Sequence, residues 1–289
     1  MNFDAFISEI LRNGWAVHGV QLYQSGVLLH QWGDVSCRYP IYSITKSLLS
    51  IAVGIARDEG RLRLDRCVLD YLPGRFLTEL SAEQRKAFAP LTLLRLMTMS
   101  VDGFPFRPEG DSYLRFSLNC PIENPNEPRF HYSNIPACLT GAALTEALGE
   151  DAGAFLQRRV LEPLGIFDAE MARCPDGYFY GASGMKLSVD ELSRIGLMLC
   201  QGGVYQGRRI VSEEYLALAC SALQPNREDG YGLFFWKYRD GFSLNGKWGQ
   251  KCFVFPKEGT VIAFLADMKS GSGQVVEAME RALPGGCPV

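Results

Sequence analysis

An α+β architecture is what the order of periodicities predicts: an antiparallel sheet built from both chain ends, flanked by terminal helices, with a mainly helical subdomain inserted between its halves. Two observations carry this expectation. Residues 1–60 read helix, hairpin, helix, and residues 200–289 are dominated by short strands that end in a helix. Residues 61–199 show helical spacing and loops instead. The expected division is therefore a discontinuous sheet subdomain, 1–60 with 200–289, and a helical subdomain, 61–199, with a site between them.

Each element has its own signal. MNFDAFISEILRNG spaces its apolar positions as an amphipathic helix, and AVHGVQLYQSGVLLHQWG alternates around Ser25-Gly26 as a β-hairpin does. From Ser43 to about Asp58, the residues Leu48, Leu49, Ile51, Ala52, Ile55 and Ala56 form a broad apolar helical stripe. LTLLRLMTMS and NIPACLTGAALTEALG read as helices. VDGFPFRPEGDSYLRFSLNCPIENPNEPRF, rich in Gly, Pro and Asn, reads as a long surface loop, and a loop that long is more often functional than idle. LSVDELSRIGLMLCQGG opens with Ser188 and Glu191 at capping-box spacing and closes on glycine, and VSEEYLALAC is a further short helix. YGLFFWKY, FSLNG, KCFVFP and TVIAFLADM read as strands, with Pro256-Lys257-Glu258-Gly259 as a hairpin turn, before the helix SGQVVEAMERAL.

Composition narrows the class of function. The chain has 289 residues, 47% hydrophobic and 21% charged, with a net charge of −3, and its lysines and arginines are scattered. No basic face is expected for nucleic acid or anionic lipid, so a small molecule is the expected partner. No apolar run approaches the roughly 20 residues needed to span a bilayer, and the opening helix lacks the basic flank of a secretory signal. Nine cysteines at irregular spacing, without any CxxC, read as reduced thiols in a cytoplasmic protein. There is no Walker loop, no H-E-x-x-H and no G-x-S-x-G elbow, and only His18, His30 and His131. No metal or cofactor is expected.

Three stretches carry chemistry. In YSITK, Ser43 and Lys46 stand three apart where a helix begins, close enough for the amine to reach the hydroxyl from the next turn. A lysine becomes a base only when burial lowers its pKa, and Ile41, Ile44, Leu48 and Leu49 could provide the apolar wall. Ser43 N–H, in the first turn, has no intrahelical partner and could hold an oxyanion. A chance S-x-x-K match is expected in a chain this size, and by spacing alone a helix cap and a solvated charge are the more ordinary reading. A second S-x-x-K, Ser183 to Lys186, has glycine inside it and reads as loop. In FHYSN, Tyr132 could pass a proton and Asn134 could pair with a substrate amide. His131, its neighbour in extended chain, is expected to point away. In LNGKWGQKCFVFP, a strand edge offers backbone N–H groups beside Lys247. Trp236, Tyr231 and Phe106 read as core aromatics more than pocket walls.

Together, SITK, YSN and GKWGQ resemble the ordered motifs S-x-x-K, Y-x-N and K-T-G or H-G-G-Q of the serine β-lactamase and penicillin-binding superfamily. The class C branch and its related esterases and amide hydrolases are the nearest part of it. LTLLRLMTMSVDG, PNEPRFHYSN and EPLGIFD are similar to its linking segments, so the resemblance spans about Tyr39 to Met268. It implies a β-lactamase-like fold in which Ser43 attacks a carbonyl and Lys46 with Tyr132 handles the proton. It also implies an oxyanion held by Ser43 N–H and the N–H of Lys247 or Gln250, with Asn134, Lys247, Trp248, Gly249 and Gln250 lining the substrate site.

Three departures from the pattern shape the expected substrate. Trp248 stands where threonine would help bind a carboxylate, and an indole accepts no hydrogen bond. No export signal is seen, and the chain is short for the branch. A small ester or amide is therefore expected. The alternatives are a β-lactamase or D-alanyl-D-alanine carboxypeptidase proper, and a non-catalytic binding protein of the same fold.

Overall fold

The structure, a computed structural model, describes residues 1–283; Cys287 lies outside them. Helix α1 (Phe3–Asn13) leads into strands β1 (Val17–Gln24) and β2 (Val27–Gly33), then the two-residue β3 (Tyr39–Pro40) and α2 (Ile44–Asp58). Short helices α3 (Gly74–Leu77), α4 (Ala82–Phe88), α5 (Leu93–Met97) and α6 (Tyr113–Leu118) precede α7 (Ile135–Leu148) and α8 (Ala152–Leu156). Next come β4 (Lys186–Leu187), α9 (Val189–Cys200), the small pair β5 (Val204–Tyr205) and β6 (Arg208–Arg209), and α10 (Glu213–Ala219). Strands β7 (Trp236–Tyr238), β8 (Gly241–Gly246), β9 (Gln250–Phe255) and β10 (Thr260–Ala266) lead to α11 (Ser272–Ala282).

The main sheet runs β2-β1-β10-β9-β8-β7, all antiparallel, so the two chain ends do share one sheet. They meet where Val20 pairs with Phe264 and Leu22 with Ile262. Strand alternation then sorts the core into two layers. Phe253, Ile262 and Phe264 face α1 and α11, packing on Phe6, Ile10 and Met279. Leu244, Val254 and Leu265 face the other way and join the large core around α2, α7 and α9. The β1–β2 turn is closed by Ser25 (φ +50°) and Gly26 (φ +81°), the left-handed pair that a two-residue hairpin requires. The capping box of α9 is complete: Glu191 N–H donates to Ser188 Oγ (3.1 Å), and Ser188 N–H to Glu191 Oε2 (2.9 Å).

The structure corrects three readings. The 101–130 stretch is not loop throughout, because α6 forms inside it. Ser112 Oγ caps Arg115 N–H, while the Asp176 carboxylate, distant in sequence, accepts from Leu114 N–H (2.9 Å) and the Ser112 hydroxyl (2.5 Å). YGLFFWKY forms a strand only over Trp236–Tyr238, with Tyr231 in isolated bridges to Gln224 and Trp236, since Phe234, at φ +62°, turns the chain to donate its N–H to Met97 O (2.9 Å). The second S-x-x-K is not all loop: Lys186 enters β4 and pairs with Glu170 (2.9 Å). The eight described cysteines are free thiols, and no helix among the described residues is long and apolar enough to cross a membrane.

Helix α2 is buried on every side from Ile44 to Ala56, so its polar side chains must find partners inside the protein. Thr45 Oγ1 donates to Tyr42 O (2.7 Å), Ser47 Oγ to Phe234 O (2.7 Å), and Ser50 Oγ shares a hydrogen bond with Tyr215 Oη (2.9 Å). Tyr215, from α10, lies flat enough on α2 that a Cβ at Gly54 would stand 2.3 Å from its ring. Gly54→Ala should therefore destabilise the protein by about 1–3 kcal/mol despite alanine's better helix propensity, because the ring is fully buried and cannot retreat. Urea denaturation monitored by circular dichroism checks this.

Candidate active site

Ser43 is placed by the entry to α2. Tyr39 and Pro40 pair with Leu187 and Lys186, Ile41 N–H donates to Met185 O (3.0 Å), and Tyr42 turns through φ +47°. A left-handed tyrosine is a strained position and here it sets the serine at the helix mouth. Ser43 makes no side-chain cap bond; its Oγ accepts from Lys46 Nζ at 3.0 Å. Its backbone N–H donates to no backbone or side-chain group among the described residues, and the side chain is partly exposed. The helix-cap reading is thus replaced by a serine whose hydroxyl sits on an amine.

That amine is almost entirely out of water: Lys46 is 1% exposed. Its three donors have three acceptors, Ser43 Oγ, Asn134 Oδ1 (2.7 Å) and Ala182 O (2.8 Å), and none of them is a carboxylate. Desolvation is therefore uncompensated by an opposite charge, and it pulls the Lys46 pKa down to about 7. Ala182 was not foreseen, because a backbone carbonyl leaves no trace in side-chain pattern. Its placement needs Gly181, at φ +68°, where a Cβ would stand 2.7 Å from Leu49 and 3.0 Å from Ala137 O.

The YSN segment is held against the 99–106 loop. His131 N–H donates to Met99 O (2.8 Å), Ser133 Oγ to Pro105 O (2.7 Å) and Asn134 N–H to Phe106 O (2.7 Å). Tyr132 consequently faces Lys46, with Nζ 5.1 Å from its ring centre. Burial pushes the Tyr132 phenol up to about 12, partly offset by the Ser43 side chain beside it. At neutral pH the phenol therefore keeps its proton, whereas the Lys46 amine is readily found in its neutral form. Lys46 is therefore the base available at rest. Trp236 (5.5 Å) and Tyr231 (6.3 Å) brace the Tyr132 ring; Tyr231 is core, Trp236 half-buried, and Phe106 62% exposed. His131 is structural, its Nε2 against Phe104 O at 2.6 Å. Asn134 is 8% exposed and its oxygen is committed to Lys46, so it positions the amine.

The β8–β9 turn adjoins this group. A Cβ on Gly246 would lie 2.3 Å from Ile41 O, and the Trp248 ring meets Tyr42 edge-on at 5.1 Å. Trp248 (φ +66°) and Gly249 (φ +93°) make the turn left-handed. Lys247 Nζ lies 4.4 Å and Lys269 Nζ 5.2 Å from the Trp248 ring centre, so the indole carries two cations. Lys269 is a further residue that spacing could not reveal. Gln250 is 1% exposed, and its amide is spent on Lys247 O (3.0 Å), Ala266 O (2.5 Å) and Ala266 N–H (3.1 Å). Its side chain locks the turn, and only its backbone N–H remains for the oxyanion role that the resemblance implies.

A family model described as Beta-lactamase matches residues 12–283. A search of curated proteins returns no match. Among solved structures, a proposed 6-aminohexanoate-dimer hydrolase from Bacillus anthracis superposes with a TM-score of 0.78 at 16% identity, over 95% of this chain and 79% of that one. A proposed beta-lactamase from Bacteroides dorei gives 0.77 at 17% over 97% of each chain. A penicillin-binding protein homologue from Caulobacter crescentus gives 0.73 at 16%, over 97% and 96%. At these identities the likeness is one of fold.

A lysine whose folded pKa is lowered destabilises the native state below that pKa, and the penalty is relieved as pH rises from it toward the unfolded value of 10.5. The stability of the wild type relative to Lys46→Met should thus be flat below about pH 7 and rise above it, by up to about 1.4 kcal/mol per pH unit. Chemical denaturation of both proteins across pH 6 to 9 (about one point per unit) measures it.

Proposed function

The chain belongs to the β-lactamase family, and on that premise we propose that it is a serine hydrolase forming an acyl-enzyme on Ser43 as it cleaves a small ester or amide. The observation that carries this reading is the hydroxyl of Ser43 held 3.0 Å from a desolvated, carboxylate-free amine. Neutral Lys46 takes the Ser43 proton as Oγ bonds to the substrate carbonyl carbon, and the carbonyl π electrons move to oxygen. The oxyanion rests on Ser43 N–H and a main-chain N–H of the Lys247–Gln250 turn. As it collapses, Tyr132 gives its proton to the leaving group and is reprotonated from Lys46. Water then attacks the acyl-enzyme by the same route and frees Ser43.

Trp248 with Tyr42 favours substrates that present an apolar group to the mouth. The name of one structural neighbour, a 6-aminohexanoate-dimer hydrolase, fits hydrolysis of a small substrate. The cytoplasmic setting expected from the thiols is part of this proposal. One observation favours a second reading, a β-lactamase or D-alanyl-D-alanine carboxypeptidase: Lys247 and Lys269 put two cations where a substrate carboxylate could sit.

Incubation with p-nitrophenyl esters, a chromogenic cephalosporin and a phosphonate probe separates these. Ester turnover and a probe adduct on Ser43 are expected, both lost in Ser43→Ala by at least about a thousandfold. Cephalosporin turnover would favour the second reading, and absence of turnover and adduct alike would mean a binding protein. In the active enzyme kcat/KM should rise with pH through an apparent pKa near 7, as Lys46 loses its proton, and Tyr132→Phe should lower kcat by about 10²–10⁴.

A further inference from the structure

The sheet face opposite α2 holds a cavity of about 370 Å³ with both polar and apolar walls, floored by β8 and β9 and walled by α11. Asn245 stands opposite Lys251 in the ladder and Ser243 opposite Phe253, so alternation brings these four side chains to the same face. Three of them reach the cavity without a protein partner. Ser243 is 1% exposed, and its Oγ and the Oδ1 of Asn245 are buried with no hydrogen bond. Lys251 makes no hydrogen bond or ion pair among the described residues, and desolvation holds its pKa down at about 8. Unpaired buried polar groups cost free energy that a bound partner restores, and here a donor, a hydroxyl and an acceptor converge.

The charges select the partner. Lys237 Nζ already donates to Gly241 O (2.6 Å), and Asp229 Oδ2 already accepts from Arg239 N–H (2.6 Å). That leaves Lys251 inside and the exposed Glu228 and Glu277 at the mouth. A simple anion would suit Lys251 and be repelled by the two carboxylates; a simple cation would meet the reverse. A molecule with a negative inner end and a positive outer end suits both, and Phe253, Tyr238 and Val276 provide apolar wall for a side chain. We propose that this cavity binds a free amino acid, its carboxylate on Lys251 and Ser243 and its ammonium on Asn245 Oδ1 and the Glu228 and Glu277 carboxylates.

The proposal does not rest on the hydrolase reading, and its test keeps the two apart. The full chain is titrated calorimetrically with glycine, L-leucine and L-phenylalanine, and with leucinamide and N-acetyl-leucine, which each lack one charged end. At least one free amino acid should bind, with the analogues weaker by at least about tenfold. Lys251→Met and Ser243→Ala should each weaken it by a similar factor, while Ser43→Ala binds as wild type. Ser243→Ala removes one buried oxygen and remains informative if Lys251→Met fails to fold, which circular dichroism reports. Absence of binding by all three amino acids overturns the proposal. So does equal binding of the analogues, unchanged affinity in Ser243→Ala, or loss of binding in Ser43→Ala, which would move the ligand to the cleft.

Discussion

The burial of one amine, Lys46, organises the centre of this protein. An ammonium removed from water without a carboxylate beside it is costly, so the fold must either neutralise it or surround it with acceptors. It does both, with a pKa near 7 and three oxygens within 3.0 Å. Those oxygens come from the helix's own first turn, from the start of α7 and from the loop before β4. Holding all three at once requires that α2, α7 and the 181–187 segment meet at one point. Ser47 and Ser50 repeat the pattern along α2, tying it to Phe234 and to Tyr215 of α10, while Thr45 bonds back to Tyr42 at the helix entry.

The same desolvation acts oppositely on Tyr132. Burial favours the neutral form of each group, which leaves the lysine free to accept a proton at neutral pH and keeps the phenol a donor. Two neighbours in one low-dielectric pocket are thus pushed in opposite directions, in the sense that suits proton acceptance by one and donation by the other. The rings of Trp236 and Tyr231 maintain that environment on one side, and the Trp248 turn bounds it on the other.

Much of this was legible from short-range pattern. The hairpin at Ser25-Gly26, the capping box at Ser188 and Glu191, and the strands β8 to β10 follow from spacing and turn chemistry within a few residues. Helix α6 was hidden because its start is stabilised by Asp176, and no local window contains both. The anchoring role of the Gln250 side chain was hidden for the complementary reason: its partners are backbone groups of Lys247 and Ala266, which leave no mark in side-chain pattern. Ala182 and Lys269 had no signal, one being a carbonyl and the other a lysine brought to Trp248 only by the turn after β10.

The sequence by itself determined the order of elements, the sharing of one sheet by both chain ends, and the three stretches from which the candidate site is drawn. It could not decide whether Ser43 was a cap or carried an amine on its hydroxyl, because both demand the same residue at the same helix start. The tertiary structure decided that, along with the weakened charge of Lys46 and the commitment of Asn134 to it. Periodicity and capping are interactions between near neighbours and are written in spacing. Desolvation and hydrogen-bond partnership depend on everything that closes around an atom, and around Lys46 that closure joins Ser43, Asn134 and Ala182, which lie far apart in the sequence.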